Sequence, residues 1–78
     1  MIRDRAYTQA MHLTIETEQE ADGRWIAEVP QIPGAMVYGT TRAAAIRSVQ
    51  ALALRVLSDR IENGEEFALI SELTFEAA

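Results

Sequence analysis

Two interruptions rich in proline and glycine constrain the fold of this chain more than any other feature of its sequence. Pro30 cannot donate a hydrogen bond to a neighbouring strand, so the strand that precedes it is expected to end there. Pro33 and Gly34 predict a tight turn, because proline presets φ and glycine accepts the positive φ that such turns often need. A short third strand, residues 35–38, follows and is expected to close at Gly39. The sheet is therefore expected to be broken twice before a helix begins.

The residues before these interruptions predict a β-hairpin. Met11, Leu13 and Ile15 alternate with polar residues, a period of two that is typical of a strand with one buried and one solvated face. The Asp-Gly pair at positions 22–23 is a strong signal for a hairpin turn. The returning strand spans residues 24–29, and its tryptophan is expected to anchor the core of the sheet.

A long helix is predicted from about Arg42 to Glu62. Thr40 and Thr41 are candidate N-caps, because a threonine hydroxyl accepts a hydrogen bond from the free amides of a first helical turn. The Asn-Gly pair at positions 63–64 is typical of a helix end. The apolar side chains expected on the core face of the helix are Ile46, Val49, Ala53, Val56, Leu57 and Ile61. Leu52 and Leu54 widen this face beyond the needs of one small sheet, which favours self-association.

A final strand is predicted over residues 69–76. The apolar residues assigned to one of its faces are Leu69, Leu73 and Phe75. The predicted order is β-β-β-α-β, an α+β fold with a small, antiparallel-rich sheet and one helix packed on one face. Residues 1–10 show no clean periodicity, and we interpret them as a flexible N-terminal arm. Residues 11–78 then form a single domain, because a chain of 78 residues is near the lower size limit of what folds alone.

The composition restricts the class of partner. Twelve acidic residues against seven arginines give a net charge of -5. Nucleic-acid binding needs clustered cations that displace counterions, so direct binding of DNA or RNA is not expected. A basic partner would be attracted instead. No apolar run approaches the roughly 18 residues that a membrane span needs, and we expect a cytoplasmic location with no membrane partner.

Candidate catalytic and metal-binding residues are few, and the expectation is that the chain is not an enzyme. The chain has no cysteine, and its one histidine, His12, lies on the polar face of a strand. Glu16, Glu18 and Glu28 share the polar side of neighbouring strands, but a two-metal nuclease also needs a carboxylate from a helix or later strand. We therefore expect no catalytic residue, no metal and no cofactor.

One combination of motifs resembles a known family. The sequence runs Asp-Gly-x-Trp-x-Ala-x-Val-Pro-x-Ile-Pro-Gly over residues 22–34, then Gly-x-Thr over residues 39–41, then an alanine-rich amphipathic helix. As a combination over residues 11 to about 64, this resembles the HicB-like antitoxin family. The resemblance implies a partial ribonuclease-H-like fold without that fold's nuclease carboxylates. It also implies an antitoxin role, in which the protein binds and masks HicA, a small basic toxin that cleaves RNA.

The chain departs from the family pattern in three places. Ala35 stands where a cysteine often follows the Pro-Gly pair. An Arg-Ala-Ala segment at residues 42–44 replaces the usual apolar and acidic residues of the first helical turn. The sequence ends at Ala78 without the helix-turn-helix or ribbon-helix-helix module that many members carry, so the resemblance is to a short form, for which direct DNA binding is not expected.

The predicted partner-binding residues are an acidic strand face and an exposed contact edge. They are Glu16, Glu18 and Glu28 on the acidic face, and Met36 and Tyr38 on the short third strand. A homo-oligomer, either dimer or tetramer, is also expected. The alternative is a stand-alone structural or small-ligand-binding homo-oligomer of the same fold, with no toxin partner.

Overall fold

The computed structural model describes residues 8–64 and 69–78. The elements are β1 (Thr8–Gln19), β2 (Trp25–Glu28), β3 (Met36–Gly39), α1 (Arg42–Glu62) and β4 (Leu69–Ala77). The strands form one sheet in the order β3-β2-β1-β4. β1–β2 and β2–β3 pair antiparallel, whereas β4 pairs parallel to β1. This confirms the α+β prediction and its β-β-β-α-β order.

β1 extends further towards the N-terminus than the strict alternation from Met11 indicates. It begins at Thr8, and Gln9 lies opposite Ile70 of β4. Three residues of the predicted arm are therefore part of the sheet. The rest of that arm, residues 1–7, lies outside the described residues.

The hairpin between β1 and β2 closes where the Asp-Gly pair predicts. Gly23 has a φ of 95° and donates its amide to the carbonyl of Glu20 at 2.9 Å. Glu20 in turn donates to the carbonyl of Arg24 at 2.7 Å. A positive φ is open to glycine at little steric cost, so this residue lets the chain reverse tightly.

The stretch between β2 and β3 is a double turn that lies against the core. The amide of Ile32 donates to the Val29 carbonyl at 3.0 Å, and the amide of Ala35 donates to the Ile32 carbonyl at 3.0 Å. Gly34 has a φ of 89°, as the predicted Pro-Gly turn requires. Val29, Ile32 and Ala35 are all buried. The two interruptions therefore reverse the chain and also supply core side chains.

The helix begins and ends where the sequence predicts. Thr41 is the N-cap, and its hydroxyl accepts a hydrogen bond from the amide of Ala44 at 3.0 Å. Asn63 is the C-cap, and Gly64 follows with a φ of 74°. Arg42 replaces the acidic residue that a helix N-terminus favours, but its guanidinium reaches back to the sheet. It donates to Thr17 Oγ1 at 3.1 Å and to the Ala78 carbonyl at 3.2 Å.

The core lies between the helix and one face of the sheet. The buried hydrophobic residues are Leu13, Ile15, Ala27, Val29, Ile32, Ala35, Ala45, Val49, Ala53 and Leu57. Trp25 was expected to anchor the core, but it is only half-buried and packs against this cluster from outside it. Ile61 was expected in the core stripe, and that prediction is wrong, because its side chain is 52% exposed. The closest contacts of the helix are with β3, β2 and β1, whereas Ile61 lines an open groove beside Leu73 of β4.

β4 contains an irregularity that its alternation does not reveal. The register with β1 shifts between Gln9 and Ala10, so that β4 carries one extra residue there. After the shift, Leu73 lies opposite Met11 and Phe75 opposite Leu13, on the helix side of the sheet. The predicted common face of these two apolar residues is therefore confirmed, whereas the side chain of Leu69 lies outside the described part.

Candidate functional site

The face of the sheet turned away from the helix, here called the open face, carries two rows of side chains across three strands. In the first row, Glu16 of β1 lies opposite Glu28 of β2, which lies opposite Met36 of β3. Directly opposite residues of antiparallel strands point to the same face, so these three side chains are neighbours.

The second row has one carboxylate and two apolar or aromatic side chains, so its apolar part begins already on the middle strand. Glu18 lies opposite Ile26, which lies opposite Tyr38. Met36 is 51% exposed and Tyr38 is 49% exposed, which places both among the exposed large hydrophobic residues of the described chain. The open face therefore combines carboxylates on β1 and β2 with apolar surface on β2 and β3.

A shallow depression of about 130 Å³ lies in this face. Its lining residues are Glu16, Thr17, Glu18, Ile26 and Glu28. Glu16 and Glu28 are like charges on directly opposite positions, an arrangement that destabilises an isolated sheet. A cation placed between them would relieve this repulsion.

The acidic character of the open face continues onto β4. Glu72 lies opposite Ala10, and Glu76 lies opposite Thr14, in the parallel register with β1. Residues opposite each other in this register share a face, so both glutamates lie on the open face, with exposed side chains. His12 shares the same face, opposite Thr74, and is also exposed.

Arg24 connects the hairpin turn to the apolar part of the open face. Its guanidinium carbon lies 4.4 Å from the centroid of the Tyr38 ring, a cation–π distance. Its Nε also lies 2.8 Å from a carboxylate oxygen of Asp22. Both side chains of this ion pair are more than half exposed, so it contributes little stability but restricts the arginine.

The pKa of the Asp22 carboxyl is lowered from its ordinary value of 3.8. The main cause is a hydrogen bond from the backbone amide of Arg24, which donates to Oδ1 at 3.0 Å. Donation from the Arg24 side chain and its positive charge act in the same direction. Hydrogen bonds to the ionised form favour it over the protonated form.

All five residues predicted to bind a partner lie together on the open face. Sequence reasoning did not include Ile26, Glu72 and Glu76 in this surface. The signal for Ile26 was available, because it lies two residues before Glu28 on the same strand and therefore shares its face. Glu72 and Glu76 alternate with the apolar residues of the final strand, but only the parallel pairing with β1 brings them to the open face.

A second surface feature is an apolar groove between the end of the helix and β4. It has a volume of about 410 Å³ and is lined by Leu54, Leu57, Ser58, Ile61, Glu62, Ile70 and Leu73. Leu54 is 45% exposed here, whereas Leu52 is half-buried. The extra apolar width of the helix is therefore found on the groove side.

The described ranges, 8–64 and 69–78, contain no group of three or more metal-ligating side chains placed to hold an ion. Within the same ranges, no helix has both the length and the apolar character needed to cross a bilayer. Comparisons of the chain with protein-family models, curated proteins and solved structures find no match.

Proposed function

We propose that this protein is a non-catalytic, antitoxin-like protein that binds and masks a small basic RNA-cleaving toxin of the HicA type. The observation that carries the proposal is the open face, where carboxylates of three strands share one surface with the exposed side chains of Met36 and Tyr38 at its edge. In this proposal the protein acts in the cytoplasm and needs no metal or cofactor.

Charge gives the first supporting argument. The open face carries Glu16, Glu18, Glu28, Glu72 and Glu76, in a protein with a net charge of -5. Such a field accelerates encounter with a positively charged protein. A toxin that binds RNA must present cations to phosphates, and carboxylates at the same positions would compete for those cations.

The apolar part of the face gives the second argument. Tyrosine is enriched among the residues that dominate binding energy, where an aromatic side chain is surrounded by polar contacts that exclude water. Tyr38 is flanked by Ile26 across the strand pair, and Arg24 lies against its ring. The arginine restricts the tyrosine before binding, which lowers the entropy cost of association.

The resemblance of residues 11–64 to HicB-like antitoxins supplies the identity of the partner. It also supplies the proposal that the β-β-β-α-β arrangement is a partial ribonuclease-H-like fold. The charge and exposure of the open face support a basic protein partner independently of this resemblance.

A second candidate function is a stand-alone homo-oligomer that binds a small ligand and has no toxin partner. The apolar groove beside Leu54, Ile61 and Leu73 favours it, because its volume of about 410 Å³ is within the range of small-molecule sites. The groove has few polar groups to orient a ligand, so the open face supports the first candidate better.

A pull-down of the tagged protein from its own cell lysate at low salt distinguishes these candidates. The antitoxin proposal expects a small basic protein that salt releases and that cleaves RNA when purified alone. Retention of further copies of the chain and no basic protein would favour the stand-alone oligomer.

A further inference from the structure

The two edges of the sheet differ in length. β3 forms one edge and has 4 residues, whereas β4 forms the other and has 9 residues. In the described part of the chain, no strand pairs with the outer side of β4. A long edge strand with unpaired backbone groups is a template for another strand, and proteins commonly keep such edges short or cover them.

The direction of the backbone groups along β4 follows from its pairing with β1. The amide of Ala78 donates to the carbonyl of Ile15 at 2.9 Å, so this residue points its backbone groups towards β1. Successive residues of a strand point these groups to opposite sides. Leu73, Phe75 and Ala77 therefore present their N–H and C=O groups to the outer side of the sheet.

We propose that a second copy of this chain pairs with the outer edge of β4 in antiparallel orientation. The two sheets then form one continuous eight-stranded sheet, with both helices on the same side. This dimer leaves most of the open face free, so it goes beyond the proposed toxin binding and does not depend on it.

The charges of β4 select one register for this pairing. In this register Phe75 lies opposite Phe75 of the second copy, so the two aromatic rings meet on the helix side of the sheet. On the open face, Thr74 of each copy then lies opposite Glu76 of the other copy. Centring the pair on Thr74 would place Glu72 opposite the partner's Glu76, twice, and like charges in that position are unfavourable. Centring it on Leu73 would include the irregular segment near Ser71.

Apolar burial and chain size also favour a second copy. Leu73 is 36% exposed at this edge, and in the proposed register it lies opposite Ala77 of the other copy. A chain of 78 residues buries a smaller fraction of its surface than a larger domain does. A strand that pairs with its own copy buries apolar surface on both chains, because the two-fold axis repeats every contact.

Sedimentation equilibrium of the purified protein alone tests the proposal through substitutions at Thr74, which is exposed. Thr74→Glu adds two like-charge pairs across the dimer and should raise the dimer dissociation constant by roughly 2- to 30-fold. Thr74→Arg should lower it. His12→Glu is the matched control, since it adds the same charge to the same face one strand away from the edge.

Two further measurements complete the test. Ala77→Pro removes an outward amide without removing a hydrogen bond to β1, and it should abolish the dimer while the helical circular dichroism persists. Added salt should tighten the dimer, because it screens the acidic chains. A monomer at every concentration, or a dimer that neither Thr74 substitution nor Ala77→Pro affects, would overturn the proposal.

Discussion

The side-chain amide of Gln31 replaces a missing strand neighbour of Thr14. Its Oε1 accepts the backbone amide of Thr14 at 3.2 Å, and its Nε2 donates to Thr14 Oγ1 at 3.2 Å. The ladder between β1 and β2 stops at the pair Glu16–Glu28, because Pro30 turns the chain away. Gln31, the residue after Pro30, therefore accepts the hydrogen bond of the Thr14 amide, which the end of the β1–β2 ladder leaves without a strand partner.

The substitution Gln31→Ala should expose the Thr14 amide to solvent. We expect faster hydrogen exchange at Thr14 and a loss of about 1 kcal/mol in the free energy of unfolding, typical of one net hydrogen bond. The amide of Ile15 is the internal control, because that residue points its backbone groups towards β4. Equal acceleration at Thr14 and Ile15 would indicate general destabilisation and contradict this assignment.

Gly39 allows the helix to approach β3 closely. A Cβ at this position would lie 2.6 Å from the Ala45 amide nitrogen and 2.9 Å from its Cα. Gly39→Ala should therefore displace the start of the helix and cost about 1–3 kcal/mol of stability, as overpacking does. Urea denaturation measures this cost. Gly34→Ala, where a Cβ meets nothing within 4 Å, is the comparison for backbone strain alone. An unchanged stability of Gly39→Ala would contradict the close packing.

Asp22 should contribute to stability only at pH values above its own titration. Because folding lowers the pKa of Asp22, its carboxylate stabilises the folded state fully at pH values above the ordinary pKa of 3.8. This stabilisation is lost as the pH falls through the lower pKa of the folded state. Asp22→Asn should therefore reduce stability at pH 5 and have a smaller effect in strong acid. Denaturation of both proteins across this pH range measures the difference.

The variant Arg24→Gln separates the causes of the Asp22 shift. It removes the ion pair and keeps the backbone amide, so the pKa of Asp22 should rise but stay below 3.8. A carboxyl carbon titration by nuclear magnetic resonance measures it. A full return to the ordinary value would contradict the backbone amide as the main cause.

The sequence predicted those parts of the fold that local residues determine. Asp22-Gly23, Pro33-Gly34 and the cap Thr41 each act within a few residues, so their turns and the helix start could be derived without the rest of the chain. The bonds of Gln31 could not be derived, because they join residues 17 apart in sequence. The register shift in β4 was missed for the same reason, since only pairing with β1 reveals it.

The candidate site was predictable wherever strand alternation decides which face a side chain occupies. Glu16, Glu18 and Glu28 follow this period and were expected on an acidic strand face, whereas Met36 and Tyr38 were expected at an exposed contact edge. Glu72 and Glu76 lie on the same face only because the chain continues after the helix as β4, which pairs parallel to β1 at the edge of the sheet. Ile61 was wrongly assigned to the core, because helical spacing alone does not show which part of a helix the sheet covers.

The central claim, that the open face binds a basic protein, is tested most directly by a double charge reversal. Glu16→Lys with Glu28→Lys keeps a like-charge pair at these opposite positions, so its stability should match that of the unmodified protein. Asp59→Lys with Glu62→Lys makes the same change in net charge on the exposed end of the helix and is the control.

The measurement is retention of small basic proteins from the native lysate at low salt, quantified by mass spectrometry for both variants. The proposal predicts that the reversal at Glu16 and Glu28 abolishes retention of a protein that the helix control still binds. Equal retention by both variants, or no basic protein bound to the unmodified chain, would contradict it.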